Sequence, residues 1–322
     1  MKALFACCGA LLLAVFSQYA ASQAYPAKPI RIIVHFPAGG PTDIVGRAVA
    51  QKLAEAWGQQ TIVDNRPGAG GILGTDLVVR AAPDGYTLLF ATSGSMSITP
   101  ALNSRLPYNP FKDLAPISLV VINPQILVLH PSLPAHSVKE LVSLAKTRPG
   151  QINYASVGPG SPNHLGMEML KAMAGIDMLH VPYKGTTPAL TDLLAGQVSL
   201  MFNSMPSVLP HVTAKKLRGI AVGSGKRSPA APDIPTVAES GVPGFEYVTW
   251  YGLFAPAATP RDIILKINAE VVRMLAAPEL AQRLASQGAE PATSSPEQLG
   301  KYMLEQHERW KQVIKSAHIR ID

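Results

Sequence analysis

The chain has only two cysteines, and both fall within its first eight residues, at Cys7 and Cys8. Met1-Lys2, the apolar run Ala3–Phe16 and the small residues Ala21-Ser22-Gln23-Ala24 read as a signal peptide, residues 1–24, cleaved after Ala24. The cysteines come before most of the apolar region, too early for a lipid-attachment site. Of 322 residues, 298 remain once these 24 are removed, and none is a cysteine. That excludes a thiol nucleophile and a disulfide framework, so stability must come from the core. No later apolar run is long enough to span a membrane. Charge is sparse too, at 15% of residues. Without Lys2 there are 27 basic against 21 acidic residues, scattered and with no run beyond pairs such as Lys215-Lys216 and Lys226-Arg227. No nucleic-acid stripe is present, although a mild positive field could gather an anionic small molecule.

Catalytic signatures are also missing. There is no G-x-S-x-G elbow. The eight histidines form no H-E-x-x-H or other ligand spacing, so no metal and no cofactor is expected. Gly225-Lys226-Arg227 fails as a phosphate loop, because Ile220 stands where glycine is needed and Arg227 is neither Ser nor Thr. Gly68-Ala69-Gly70-Gly71-Ile72-Leu73-Gly74 departs from the dinucleotide fingerprint by one place and reads better as a close strand–helix contact. His164 and Glu168, four apart, share one helical face and read as a surface or interdomain pair. An enzyme is poorly supported.

What is present is a repeated pattern of strand, polar turn and helix. Ile30–Phe36 is a β-branched run, and Ile44, Val45, Ala48, Val49, Leu53 and Trp57 recur at helical spacing after it. Between them lies Pro37-Ala38-Gly39-Gly40-Pro41-Thr42-Asp43. Its two glycines permit conformations that a Cβ would forbid, Thr42 or Asp43 can cap the helix, and a helix N-terminus favours an anion. On the local pattern alone a plain capped turn is the better reading, because capped strand–helix turns are common and sites are few. Strands at 61–65 and 86–91 complete a βαβαβ unit, the mark of a parallel doubly wound sheet. Residues 100–116 are proline-rich and irregular. Two apolar strands, 117–122 and 126–130, are broken by Asn123-Pro124, where a domain crossing is expected. Ser137-Val138-Lys139-Glu140 is a capping box. A second α/β series follows, with strands at 152–156, 178–182, 198–202 and 217–222. Val248–Ala255 should return to the first domain. Thr259-Pro260 and Ser295-Pro296-Glu297-Gln298 open two further helices.

The strand-end turns 37–43, 92–95, 156–164, 183–187 and 203–204 are rich in Gly, Ser, Thr and Asn. In open α/β sheets, ligands lie beyond the carboxyl ends of the strands. Two such domains facing each other would hold a small carboxylate with neutral donors.

The chain resembles the periplasmic solute-binding proteins of tripartite tricarboxylate transporters, the TctC or Bug (Bordetella uptake gene) family, over residues 25–322. The resemblance is carried by Phe36-Pro37-Ala38-Gly39-Gly40-Pro41-Thr42-Asp43, Asn65-Arg66-Pro67-Gly68-Ala69-Gly70-Gly71 and Pro83-Asp84-Gly85-Tyr86-Thr87-Leu88-Leu89. Further on it is carried by Gly160-Ser161-Pro162-Asn163-His164-Leu165, Val181-Pro182-Tyr183-Lys184-Gly185 and Pro188–Gly196. It implies an α/β, periplasmic-binding-protein-like (type II) Venus flytrap of two lobes with a hinge. Lobe 1 would be 25–123 with 246–322, and lobe 2 would be 124–245. It implies that backbone amides of Ala38–Thr42 hold one ligand carboxylate, with Asp43 bracing the turn. The opposing lobe would contribute Ser156–Asn163 and Tyr183–Thr187. The expected ligand-binding set is Ala38, Gly39, Gly40, Thr42, Asp43, Ser93, Ser95, Ser156, Gly158, Ser161, Asn163, His164, Tyr183, Gly185, Thr186 and Asn203. Where many members have Phe-Asp-Asn, this chain has Phe202-Asn203-Ser204. That favours a dicarboxylate or aromatic carboxylate over an amino acid. A monomeric, exported binder that serves the membrane subunits of such a transporter is the main expectation. A sensory binding protein that signals to a regulator, and a hydrolytic enzyme on the same fold, are the alternatives.

Overall fold

The computed structural model describes residues 25–103, 105–286 and 288–316, so the expected signal peptide lies outside the described residues. The first unit runs β1 (Ile30–Val34), α1 (Pro41–Trp57), β2 (Thr61–Asn65), α2 (Ile72–Val79) and β3 (Thr87–Thr92). β1 lies between β2 and β3 and is parallel to both, as the βαβαβ pattern predicts. The apolar stripe of α1, with Val45, Val49 and Leu53, buries against Ile30, Ile32, Leu88 and Phe90. The glycine-rich segment before α2 is a close strand–helix contact. A Cβ at Gly74 would stand 2.7 Å from both the Arg66 carbonyl and the His35 Cβ.

The polar stretch after β3 is more ordered than expected. It forms a π-helical turn, Gly94–Ile98, continuous with α3 (Thr99–Leu102), and α4 (Pro110–Asp113) follows. Next comes the main difference from the sequence reading. The two strands expected at 117–122 and 126–130 are one 16-residue strand, β4 (Leu114–Leu129). Pro124 does not break it because β4 changes partners there. Leu114–Pro124 pair with β9 (Val248–Pro256), whereas Gln125–Leu129 lie between β7 (Leu200–Ser204) and β8 (Arg218–Val222). A proline takes one donor from a ladder, and this one occupies the last rung with β9, opposite Val248. Shared by both halves, β4 joins the strands into one path, β2-β1-β3-β9-β4-β7-β5-β6, where β5 is Asn153–Ser156 and β6 is Leu179–Pro182.

The second lobe repeats the parallel logic, with β5 parallel to β6 and β7. Its helices are α5 (Val138–Thr147), α6 (Pro162–Ala174), α7 (Thr186–Leu194) and α8 (Met205–Thr213). Beyond β9 come α9 (Arg261–Leu275), α10 (Pro278–Ser286), the short β10 (Glu290–Pro291) and α11 (Pro296–Ser316). Ser137 caps α5 through the Glu140 amide. At α11 the capping box is reciprocal: Ser295 Oγ accepts from the Gln298 amide and Gln298 Oε1 accepts from the Ser295 amide. α9 differs by one place, since Pro260 is its N-cap and no side chain caps it. No helix among the described residues is long and apolar enough to cross a membrane.

The lobes meet at a small polar cluster. Gln125 Nε2 donates to the Asn123 carbonyl and to Thr249 Oγ1. On the lobe 2 side, the Gly223 amide donates to the Gln125 carbonyl and its own carbonyl accepts from the Tyr247 amide, each at 2.7 Å. Gly223 therefore staples the two crossing strands. α11 makes a third link. Leu299 and Met303 pack in the lobe 1 core with Trp250 and Phe254, while Trp310 and Val313 pack in the lobe 2 core with Tyr247 and Leu165.

Candidate functional site

The turn after β1 is built around Asp43. α1 starts at Pro41 with Gly40 as its N-cap, so Asp43 sits in the first turn of the helix. Its carboxylate is buried and accepts from the Gly39 amide at 2.8 Å, Arg47 Nε at 2.9 Å and Asn65 Nδ2 at 2.9 Å. Burial pushes its pKa up, but the donors from Arg47, Gly39 and Asn65 outweigh that and hold it below the ordinary carboxylate range. Asn65 also donates to the Phe36 carbonyl, so one carboxylate ties the ends of β1 and β2 to α1. Gly39 takes φ +79°, where only glycine is unstrained, whereas Gly40 is extended at φ −80°. Of the two glycines, the backbone itself requires only Gly39. The Gly39 amide is engaged by Asp43. Among the described residues, no protein acceptor meets the amides of Ala38, Gly40, Thr42 or Asp43. Four N–H donors at the positive end of a 17-residue helix are thus left for something else. Because Arg47 pairs with Asp43, the buried carboxylate does not oppose an incoming anion.

Behind the turn, His35 is fully buried between Thr75 Oγ1 (3.2 Å) and Ser95 Oγ (3.1 Å). Burial lowers its pKa to about 3, so it is neutral. Ser95 also donates to the Thr92 carbonyl, and Ser93 Oγ accepts from the Trp250 amide.

Across the cleft, the 156–164 loop is held from within. Ser156 Oγ meets His180 Nε2 at 2.6 Å, Ser161 Oγ donates to the Gly158 carbonyl, and His164 Nδ1 accepts from the Gly160 amide. The imidazoles of His164 and His180 stack at 4.0 Å, with Tyr154 beyond His180. Burial lowers both histidine pKa values. His164 beside it lowers His180 further, to about 4, while Lys171 adds to the lowering of His164. Glu168 does not pair with His164 as its spacing suggested. It accepts from Tyr154 Oη and from Lys171 Nζ. Asn163 Nδ2 donates to the Phe202 carbonyl and so binds this loop to the end of β7.

Two cavities flank these turns. One, of about 860 Å³, is walled by Phe36, Gly70 and the 92–105 segment of lobe 1 and by 157–162 of lobe 2. The other, of about 920 Å³, lies between the starts of α1 and α8, with Asn123 and Tyr251 at its back. Phe36 lines the first and Pro41 the second, so the turn 37–40 runs between them. Thr92 and Tyr251, one in each wall, are partners across the β3–β9 ladder.

Residues 45–319 match the family described as Tripartite tricarboxylate transporter family receptor, TctC. The chain belongs to the TctC family. It is 36% identical over 301 residues to Protein BugT of Bordetella pertussis, covering 93% of this chain and 92% of BugT. Among solved structures it resembles Rpa4515 of R. palustris with adipate, at a TM-score of 0.82 and 34% identity over 92% of this chain and 99% of that one. It also resembles MatC (Rpa3494) from Rhodopseudomonas palustris with bound malate, at a TM-score of 0.76 and 34% identity over 90% and 100% of the two chains. The fold is therefore the two-lobed periplasmic-binding-protein type shared by TctC proteins.

In this TctC member the expected site residues fall into three groups. Ser95 and Ser161 line the smaller cavity. Ala38, Gly39, Gly40, Thr42 and Asp43 form the turn between the cavities. The remainder sit around the loops. Ser93, Ser156, Gly158, Asn163 and His164 hold loop and strand ends through the bonds above. Tyr183 donates to Asp192 Oδ2, and Gly185 and Thr186 open α7. Asn203 is buried, with Oδ1 turned back to the Ser204 amide. The sequence reading left out Phe36, Gly70, Ile98, Leu102 and Arg105 as lining residues, while its 92–95 and 156–164 turns already covered Thr92, Gly94 and Val157. Phe36 and Gly70 lie inside the quoted motifs and could have been included. Arg105 carries no local signal.

Proposed function

We propose that this chain captures a small carboxylate between its lobes and delivers it to the membrane subunits of a tripartite tricarboxylate-type transporter. The observation that carries this is the set of unpartnered amides at Ala38, Gly40, Thr42 and Asp43, framed by a turn whose own acidic group is already neutralised. Charge-assisted N–H donors and the helix dipole both favour an anion there. The adipate with Rpa4515 and the malate bound to MatC support a carboxylic acid. A dicarboxylate or aromatic carboxylate is favoured over an amino acid, because residue 203 is a buried asparagine and supplies no acidic group for an ammonium. We read the chain as a binder rather than a catalyst: His35, His164 and His180 are each committed to a structural partner. The lobes divide near Asn123–Pro124 and Glu246, and ligand that prefers the closed form draws them together about the Gln125–Thr249 cluster. The protein is exported to the periplasm with residues 1–24 removed, and works as a monomer.

Gly40 allows a clean test. A Cβ there would meet only the Pro37 carbonyl at an ordinary 3.5 Å, and its φ suits any residue. Gly40→Val should therefore keep the fold while filling the space in front of the amides. Calorimetric titration of the protein from Tyr25 onward with adipate should show binding that falls at least a hundredfold in Gly40→Val, with an unchanged far-UV circular dichroism spectrum. A folded Gly40→Val that binds like the parent would remove the backbone-amide account.

A further inference from the structure

We propose that Arg105 receives the far carboxylate of an elongated dicarboxylic acid and so makes the site selective for diacids over monoacids of equal length. This rests on the carboxylate reading above and extends it to the other end of the ligand. The lining of the 860 Å³ cavity is of three kinds. Thr92 and Ser95 are buried hydroxyl residues, Ser95 with its own proton given to the Thr92 carbonyl. Ile98, Leu102 and Val157 are apolar. Arg105 is exposed and is the single charged residue in that wall. Hydroxyls, apolar side chains and one cation around a single cavity match a molecule with two carboxylates joined by a hydrocarbon spacer. A monoacid would leave the cation unanswered, and an amino acid would bring its ammonium into a wall that has no carboxylate.

The guanidinium is available. Most arginines of this chain are paired: Arg31 with Asp64, Arg47 with Asp43, Arg80 with Asp76, Arg227 with Glu239 and Arg309 with Glu246. Among the described residues, no acceptor meets the Arg105 guanidinium, while its backbone amide is anchored to Asn103 Oδ1 at 2.9 Å. The anchor fixes the start of the side chain, and Arg105 lines the cavity. Arginine's planar donors suit a carboxylate in a two-point contact, which lysine cannot reproduce.

The test is calorimetric titration of the parent, Arg105→Ala and Arg105→Lys with adipate and with hexanoate, which has the same chain length and one carboxylate fewer. The parent should prefer adipate by roughly tenfold or more, the effect of one charge-assisted contact near a surface. In Arg105→Ala that ratio should fall close to one while hexanoate affinity stays the same, and Arg105→Lys should lie between. An unchanged adipate-to-hexanoate ratio in Arg105→Ala would overturn the proposal. If the parent binds both acids equally and Arg105→Ala does too, the carboxylate reading stands and the role of Arg105 does not. If the parent binds neither acid, both fall together.

Discussion

Asp43→Ala is expected to abolish ligand binding and to lower stability by about 2–4 kcal/mol, the cost of breaking a buried charged hydrogen-bond network. The side chain is only 3% exposed, and its three donors come from three different places, the turn, α1 and the end of β2. Without it the Gly39 amide loses its acceptor, and the left-handed residue no longer has a bond that selects its conformation. The amides of Gly40 and Thr42 would then lose their common direction. Arg47 is half exposed and can turn to water, which keeps the cost below that of a fully buried pair. Asp43→Asn should lie between, since it keeps one acceptor but turns an NH₂ toward donors. The pH dependence has a definite sign. The folded carboxylate titrates below its unfolded value of about 3.9, so its stabilisation is complete above that pH and is lost as pH falls through the folded value. Thermal melts of parent and Asp43→Asn should therefore differ at pH 7 and converge toward pH 2. A variant that melts and binds like the parent at pH 7 would show that the turn holds without its carboxylate.

Gly223→Ala should be the most destabilising single methyl at the crossing, by about 3 kcal/mol. A Cβ there would lie 2.4 Å from the Tyr247 carbonyl oxygen and 3.4 Å from that of Gln125. Both obstacles are backbone, and both residues are held by the hydrogen bonds that Gly223 itself makes. To admit the methyl, the two crossing strands must spread. Gly225→Ala is the matched control, because its Cβ would meet only the Glu246 carboxyl group at 3.7 Å. Urea unfolding should separate the two variants by several times the experimental error, with Gly225→Ala within about 0.5 kcal/mol of the parent. Equal midpoints for the two would mean that the crossing yields more easily than its geometry implies.

Much of this architecture is legible in the sequence because it is local. The β1–turn–α1 unit, the capping box at Ser137, the helix start at Ser295 and the close contact at Gly74 follow from spacing and residue type alone. The continuity of β4 does not, because Pro124 reads as a breaker until the partner change behind it is known. The same holds for Gly223 and Gly166. A Cβ on Gly166 would strike the Tyr247 ring at 2.4 Å, yet the two residues are 81 positions apart. The Tyr154–His180–His164 stack draws on β5, β6 and α6, three elements whose adjacency is a matter of topology. At the site, the reading located the turns and their polar character. It did not separate residues that face the cleft from those that hold the loops. That distinction depends on where each hydroxyl finds its nearest acceptor, as Ser93 and Ser156 illustrate.

The elements that run from one lobe to the other also carry aromatic chromophores. Trp250 lies on β9 beside Tyr302, and Trp310 lies on α11 edge-on to Tyr247. Trp57 sits apart, against Tyr25 at the outer edge of lobe 1. Two of the three tryptophans thus sit on the elements about which the proposed closure would turn, and the third sits away from them. For that closure the protein would carry its own optical gauge, with an internal reference and no dye.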